Sequence, residues 1–157
     1  MFKDKTVFVV GAGASAEFDL PVGSDLASKI ASLMSFTFDY KGLENGDHVI
    51  LEAWKHHFND NDTTNRYLEA ARRISDGILL TDSIDRYLHI HSNDEQANFC
   101  GKTAIVRAIL EAELNSTLYY SNADNPPMID FPRLQDTWLK GFVSHLVDGR
   151  QKEDIEN

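Results

Sequence analysis

Gly11, Gly13 and Ser15 follow directly on the β-branched run Thr6-Val-Phe-Val-Val10, and their types and spacing suit phosphate chemistry. Glycine permits a sharp turn and lets a ligand approach the main chain, while a helix start presents partially positive N–H groups. A strand that breaks into Gly11-Ala12-Gly13-Ala14-Ser15 and feeds a helix is therefore built to hold a pyrophosphate. Thr6–Val10 is short and β-branched enough to predict a buried parallel strand. Gly11-x-Gly13-x-x-Ala16 also satisfies the loose dinucleotide-binding pattern, with Asp39 near the position of a ribose-binding carboxylate. The next residues depart from that pattern. Leu20-Pro21-Val22-Gly23 cuts the first helix after roughly two turns, because proline lacks the N–H and clashes with the preceding turn. Ser24-Asp25 predicts the N-cap of a second helix, Leu26 to about Ser35, with Leu26, Ile30, Leu33 and Met34 along it.

A strand, Gly-Ala-Gly-x-Ser, a short helix and then a hydrophobic-Pro pair resembles the opening of the sirtuin superfamily. Gly11, Ala12, Gly13, Ser15, Leu20 and Pro21 stand in the corresponding places. Asp19 sits where the family commonly has glycine, and Val22-Gly23 replaces the Phe-Arg that follows the proline in protein deacylases. These departures are closer to the divergent Sir2-like domains of bacterial NAD-consuming proteins. Asp82-Ser83-Ile84-Asp85-Arg-Tyr-Leu88 looks like a Ser-hydrophobic-Asp helix start of such domains, and Gly101 to Glu111 is similar to their long central helix. The resemblance implies a Rossmann-like Sir2-type α/β fold with NAD as cofactor. In it Gly11, Ala12, Gly13, Ala14 and Ser15 would hold pyrophosphate and ribose, while Leu20 and Pro21 close over the nicotinamide ribose. It further implies hydrolysis of NAD to nicotinamide and ADP-ribose, in a bacterial defence setting. The family's catalytic Asn and His come from later strand ends, and neither is expected within these residues. A plain strand-to-helix turn is the alternative for Gly11–Ser15, and a simple cap with an acidic first turn is the favoured reading of Asp82 and Asp85.

Other candidate chemistry is thinner. Thr63-Thr64-Asn65 has the form Thr-x-Asn, but polar Asn59-Asp-Asn-Asp62 precedes it in place of an apolar strand, so Asn65 reads as a helix-start residue. His56-His57 and His89-x-His91 do not share a helix face at those spacings and do not match HExxH, so no metal site is expected from them. Ser15 is not in a Gly-x-Ser-x-Gly elbow, and no Gly-Lys-Ser/Thr forms a Walker loop. Glu69, Glu111 and Glu113 read as members of solvated helix faces.

The chain has 157 residues, enough for one domain with a real core, and carries a net charge of −10. That charge argues against nucleic acid and anionic membranes, since phosphate contacts need clustered Lys and Arg. NAD is also anionic, but a helix start can hold it without a basic patch. Cys100 is the one cysteine, which excludes an internal disulfide and a four-cysteine zinc ribbon and fits a reducing cytoplasm. No apolar run is long enough to span a bilayer.

After the first strand the chain reads mostly as helix. Phe36–Tyr40 allows a short strand, and Lys41–Gly46 reads as a loop. Asp47 predicts the cap of a helix to about Phe58 with Ile50, Leu51 and Trp54 inward. A helix from about Asn65 brings Tyr67, Leu68, Ala71 and Ile74 together and ends at Asp76-Gly77. A long helix near 96–118 repeats Val106, Leu110, Leu114 and Leu118 every four residues, with Arg107, Glu111 and Asn115 opposite. Ser121–Pro127 reads as a turn-rich loop, and a last helix, about Pro132 to Leu146, lines up Leu134, Trp138, Phe142 and Leu146 before Gly149. Arg150–Asn157 reads as a charged, frayed tail.

One convincing strand cannot satisfy a parallel sheet, because its backbone groups need neighbours on both sides. The expectation is a single, partial Sir2-like domain over 1–157, helix-rich, with an incomplete parallel sheet. Its expected partners are NAD or ADP-ribose, with self-association open. A non-catalytic ADP-ribose-binding or scaffold module is the alternative function, and a protein deacylase a more distant one.

Overall fold

The computed structural model describes residues 7, 9–11, 13–117, 119–122, 125–129 and 131–147. The chain falls into two units, Pro21–Ala112 and the pair of segments Met1–Leu20 and Glu113–Asn157. Helices dominate both, and the sheets described are two small antiparallel hairpins.

In the Pro21–Ala112 unit, α2 (Gly23–Met34) begins earlier than its expected cap. Val22 takes the N-cap position without a side-chain hydrogen bond, so Ser24-Asp25 is not the cap. Ala27, Ile30, Ala31, Leu33 and Met34 are buried, as the spacing of α2 requires. Thr37–Asp39 (β1) does form a strand, but Lys41–Gly46 is no open loop. It supplies β2 (Gly42–Asn45), antiparallel to β1 with Asp39 opposite Gly42, so Tyr40-Lys41 make the tight turn. Gly46 holds φ 97°, and a Cβ there would lie 2.5 Å from the buried Phe36 ring. Position, conformation and packing all demand glycine at that point.

Asp47 caps α3 (His48–Phe58) as expected, accepting the Ile50 N–H at 2.8 Å. Ile50, Leu51 and Trp54 are buried. The next helix starts at Asn61, four residues before the expected Asn65. Asn59 ends α3 in the left-handed conformation (φ 48°), and Asp60 at once caps α4 (Asn61–Ile78) by accepting the Thr63 N–H at 2.8 Å. The Thr63 side chain first, and this N–H bond second, hold the Asp60 carboxyl below its usual range. Sequential caps let two helices meet across only two residues, Asn59 and Asp60, a compression that polar composition disguises. α4 lies against α2, where Ser75 Oγ donates to the Ala31 carbonyl at 2.8 Å and Arg72 Nε to the Phe36 carbonyl at 2.7 Å. Trp54 sits among Phe36, Tyr67 and Phe99 with ring centroids 5.7, 6.3 and 6.1 Å away. Its buried Nε1–H has no hydrogen-bond partner among the described residues, a desolvation cost of about 1–3 kcal/mol that the aromatic packing must offset.

Ser83 caps α5 (Ile84–Ile90), which buries Ile84 and Tyr87. The Tyr87 hydroxyl donates to the Arg73 carbonyl at 3.1 Å, and burial raises the pKa of the phenol. α6 (Glu95–Asn115) buries Ala97, Cys100, Gly101, Ala104 and Ala108. The expected stripe faces the other way: Val106 is 57% exposed, Leu110 51% and Leu114 77%, while Leu118 lies outside the described residues. Arg107 and Glu111, expected to be solvated, instead join a network. Arg107 Nε is 3.1 Å from Asp47 Oδ2, and Glu111 receives Lys29 Nζ at 2.5 Å.

In the other unit, α1 (Gly13–Ala16) is a single turn, shorter than expected, and Glu17–Asp19 continue as a turn. Residues 121–122 and 125–127, expected as part of a loop, contribute to β3 (Tyr119–Asn122) and β4 (Asn125–Ile129), an antiparallel hairpin that pairs Tyr120 with Met128. The expected last helix divides into a 3-10 turn, Phe131–Asp136, and α7 (Trp138–Val147). Gly149 and the tail lie outside the described residues.

Candidate functional site

The described part of the Thr6–Val10 run differs from the expected buried strand. Val7, Val9 and Val10 are in no strand, and Val9 is 94% exposed. Thr6, Phe8 and Ala12 lie outside the described residues. Gly11 turns the chain: its carbonyl accepts the Ala14 N–H at 3.0 Å and starts α1. The Ser15 carbonyl then takes the N–H groups of Phe18 at 3.0 Å and Leu20 at 3.3 Å, which folds the segment back before Pro21. Gly11, Gly13, Ala14, Ser15 and Leu20 thus form one local loop closed by its own backbone.

Neither Gly11 nor Gly13 is required by packing among the described residues. A Cβ at either would meet nothing within 4 Å, and neither holds a positive φ. Glycine costs backbone entropy, so its place here asks for a reason outside the described chain, and close approach of a ligand supplies one. Asp19 gives the opposite lesson. Its φ of 62° is the left-handed conformation that glycine adopts freely and that Asp tolerates better than most residues. Asp19 therefore makes a turn that glycine would make more freely.

An apolar pocket of about 260 Å³ opens beside the loop, lined by Val9, Val10, Gly11, Ala14, Trp138 and Phe142. Trp138, the first residue of α7, is held to the loop at two points. Its indole Nε1–H donates to the Ala14 carbonyl at 2.8 Å, and its backbone N–H donates to Glu17 Oε2 at 2.9 Å. Glu17 thereby caps α7 from a distant part of the chain, placing a carboxylate at a helix start. Phe18 is buried with its ring 6.4 Å from that of Trp138, and its carbonyl accepts Ser116 Oγ at 2.7 Å. The sequence pattern marks Trp138 and Phe142 as an apolar helix face. It carries no signal of what that face meets.

Other candidates sit elsewhere. Asp39 accepts the Lys41 N–H at 2.7 Å and shapes the β1–β2 turn. Asn65 is an exposed residue within α4. In the Asp82–Asp85 stretch the cap is Ser83, which accepts the Arg86 N–H at 3.2 Å, and exposed Asp82 lies 3.8 Å from Arg86. All six histidines are exposed, and no group of three metal-ligating side chains occurs among the described residues. Cys100 is no nucleophile at neutral pH, because burial pushes its thiol up to about 12. No helix among the described residues is long and apolar enough to cross a membrane. No family model, curated protein or solved structure matches this chain.

Proposed function

We propose that the loop Gly11–Ser15, with Leu20 and Pro21, binds the nucleotide of NAD or ADP-ribose in a Sir2-like domain whose parent activity is hydrolysis of NAD to nicotinamide and ADP-ribose. One observation carries the reading. Gly11, which lines an apolar pocket, and Gly13 two residues on are required by neither dihedral angle nor packing among the described residues, and they stand in a sequence pattern suited to a pyrophosphate. The half-buried Ser15 supplies a hydroxyl at the inner end of the loop. In the same reading Val7, Val9 and Val10 belong to the first strand of a Rossmann-like parallel sheet. They are in no strand as they stand; in a parallel sheet their backbones would pair with neighbouring strands and helices would cover their β-branched, exposed side chains.

A second reading, nucleotide binding without catalysis, is favoured by Asn65. It lies on a helix, whereas an Asn that positions water for attack on a glycosidic bond needs a rigid strand end.

Thermal unfolding with and without millimolar NAD or ADP-ribose tests the binding. Ligand at about 100 times its dissociation constant adds roughly 2.7 kcal/mol, and the midpoint rises accordingly. Ser15→Ala is expected to reduce that rise while leaving the ligand-free midpoint within the ordinary range of a surface substitution, about 0.5 kcal/mol. An unmoved midpoint with both ligands rejects the nucleotide reading. Release of nicotinamide from NAD then separates the hydrolase from the binding module.

A further inference from the structure

We propose that the pocket beside the glycine loop seats one flat heteroaromatic ring of the nucleotide, and that Trp138 is the face on which the ring stacks. The inference rests on the nucleotide reading above and adds the part of the ligand that this pocket selects. Its volume of about 260 Å³ lies below the roughly 300–1,000 Å³ of pockets that enclose a whole drug-sized ligand. Its walls can take up a single ring, the rest of a dinucleotide extending out of its open side. Among the described residues its lining side chains are those of Val9, Val10, Ala14, Trp138 and Phe142, with no charge and no hydroxyl among them. Phosphate and ribose find no partner on such walls, whereas the faces of a base or a nicotinamide do.

The indole is prepared for that role. Its single polar atom is already spent, because Nε1–H is bound to the Ala14 carbonyl at 2.8 Å. The backbone bond to Glu17 fixes the helix end that carries it. Phe142 flanks the indole with ring centroids 6.0 Å apart and planes at 59°, and Phe18 meets it edge-on. An aromatic face held in place by the same loop that carries Gly11 and Gly13 couples ring recognition to main-chain recognition of the phosphates. Stacking of this kind tolerates different bases, since each presents a π-face.

Tryptophan fluorescence, with binding followed in parallel by calorimetry, tests the proposal. Trp54 is the other tryptophan and is 2% exposed, so the difference between wild type and Trp138→Phe isolates Trp138. The probes are NAD, ADP-ribose and ribose 5-phosphate, the last lacking any aromatic ring. NAD or ADP-ribose is expected to quench Trp138 and ribose 5-phosphate to leave it unchanged. Trp138→Leu is expected to raise the dissociation constant of the quenching ligand about 10-fold or more, and Trp138→Phe to retain most of the affinity. Should Trp138→Leu fail to fold, Phe142→Leu and the wild-type quench decide in its place. Calorimetric binding with no quench and no change in the Leu variant overturns the ring assignment and leaves the nucleotide reading standing. Absence of calorimetric binding by NAD and ADP-ribose to the wild type overturns both.

Discussion

Asp94 shows how much a single carboxylate carries in this chain. It accepts the Ala97 N–H at 2.9 Å in the first turn of α6, and its other oxygen is 3.0 Å from Arg73 on α4. The Ala97 bond, with Arg73 adding to it against the opposing cost of desolvation, holds the Asp94 carboxyl below its usual range. A carboxylate with a lowered folded-state pKa stabilises fully above its unfolded value, near 3.9, and loses that contribution as pH falls through the folded value. Asp94→Ala is therefore expected to cost about 1 kcal/mol at pH 7, a typical loss for a helix cap. The difference from wild type should shrink as pH falls below about 4. Urea unfolding at pH 7 and pH 3 measures both gaps, and a gap that stays constant refutes the linkage. Residues of this type are legible in a sequence when the cap precedes a clear periodic helix, as Asp47 does. Asp60 is harder to find, because it stands among other polar residues and the helix it starts opens with six of them.

At the scale of elements, α6 carries the sharpest difference between pattern and packing. Its sequence has apolar residues on two sides, the branched set Val106, Leu110 and Leu114 and the small set Ala97, Cys100, Gly101, Ala104 and Ala108. Periodicity identifies both sides as helical faces and cannot choose between them. Close approach decides. A Cβ at Gly101 would stand 2.5 Å from Leu88 Cδ2, so α5 reaches into α6 where side chains are smallest. Substitutions should follow the structure and not the hydropathy. Val106→Gln and Leu110→Gln are expected to change stability by no more than about 0.5 kcal/mol, since both are exposed. Ala104→Leu, which overfills a fully buried position, is expected to cost about 1–3 kcal/mol. Equal costs at the two faces, in denaturant melts, would refute this orientation of the helix. The hairpins were less legible for a different reason. β1 and β2 are short and nearly all exposed, so no burial imposes alternation on their residues.

For the molecule as a whole, local signals are the legible ones: the helices of the Pro21–Ala112 unit and a cap such as Asp47. Contacts between distant segments were not legible. Trp138 meets Ala14 across 124 residues, and nothing near either position announces the other. The same distance in sequence separates the pattern at Gly11–Ser15 from the aromatic wall that gives its pocket a shape. Cys100 offers a measure of how firmly the Pro21–Ala112 unit holds. Its Sγ lies 3.4 Å from the Tyr67 carbonyl, fully buried between α4 and α6, and its thiol resists ionisation. A thiol reagent can reach it only when those helices part, so the labelling rate is a clock for opening. At pH 8 the native chain should react at least about 10³-fold more slowly than the urea-unfolded chain, in keeping with an ordinary domain stability. Reaction at the unfolded rate would mean the helices separate freely. One sulfur atom thus lets the coherence of this unit be timed in a cuvette, without a ligand, a label added in advance or any assumption about function.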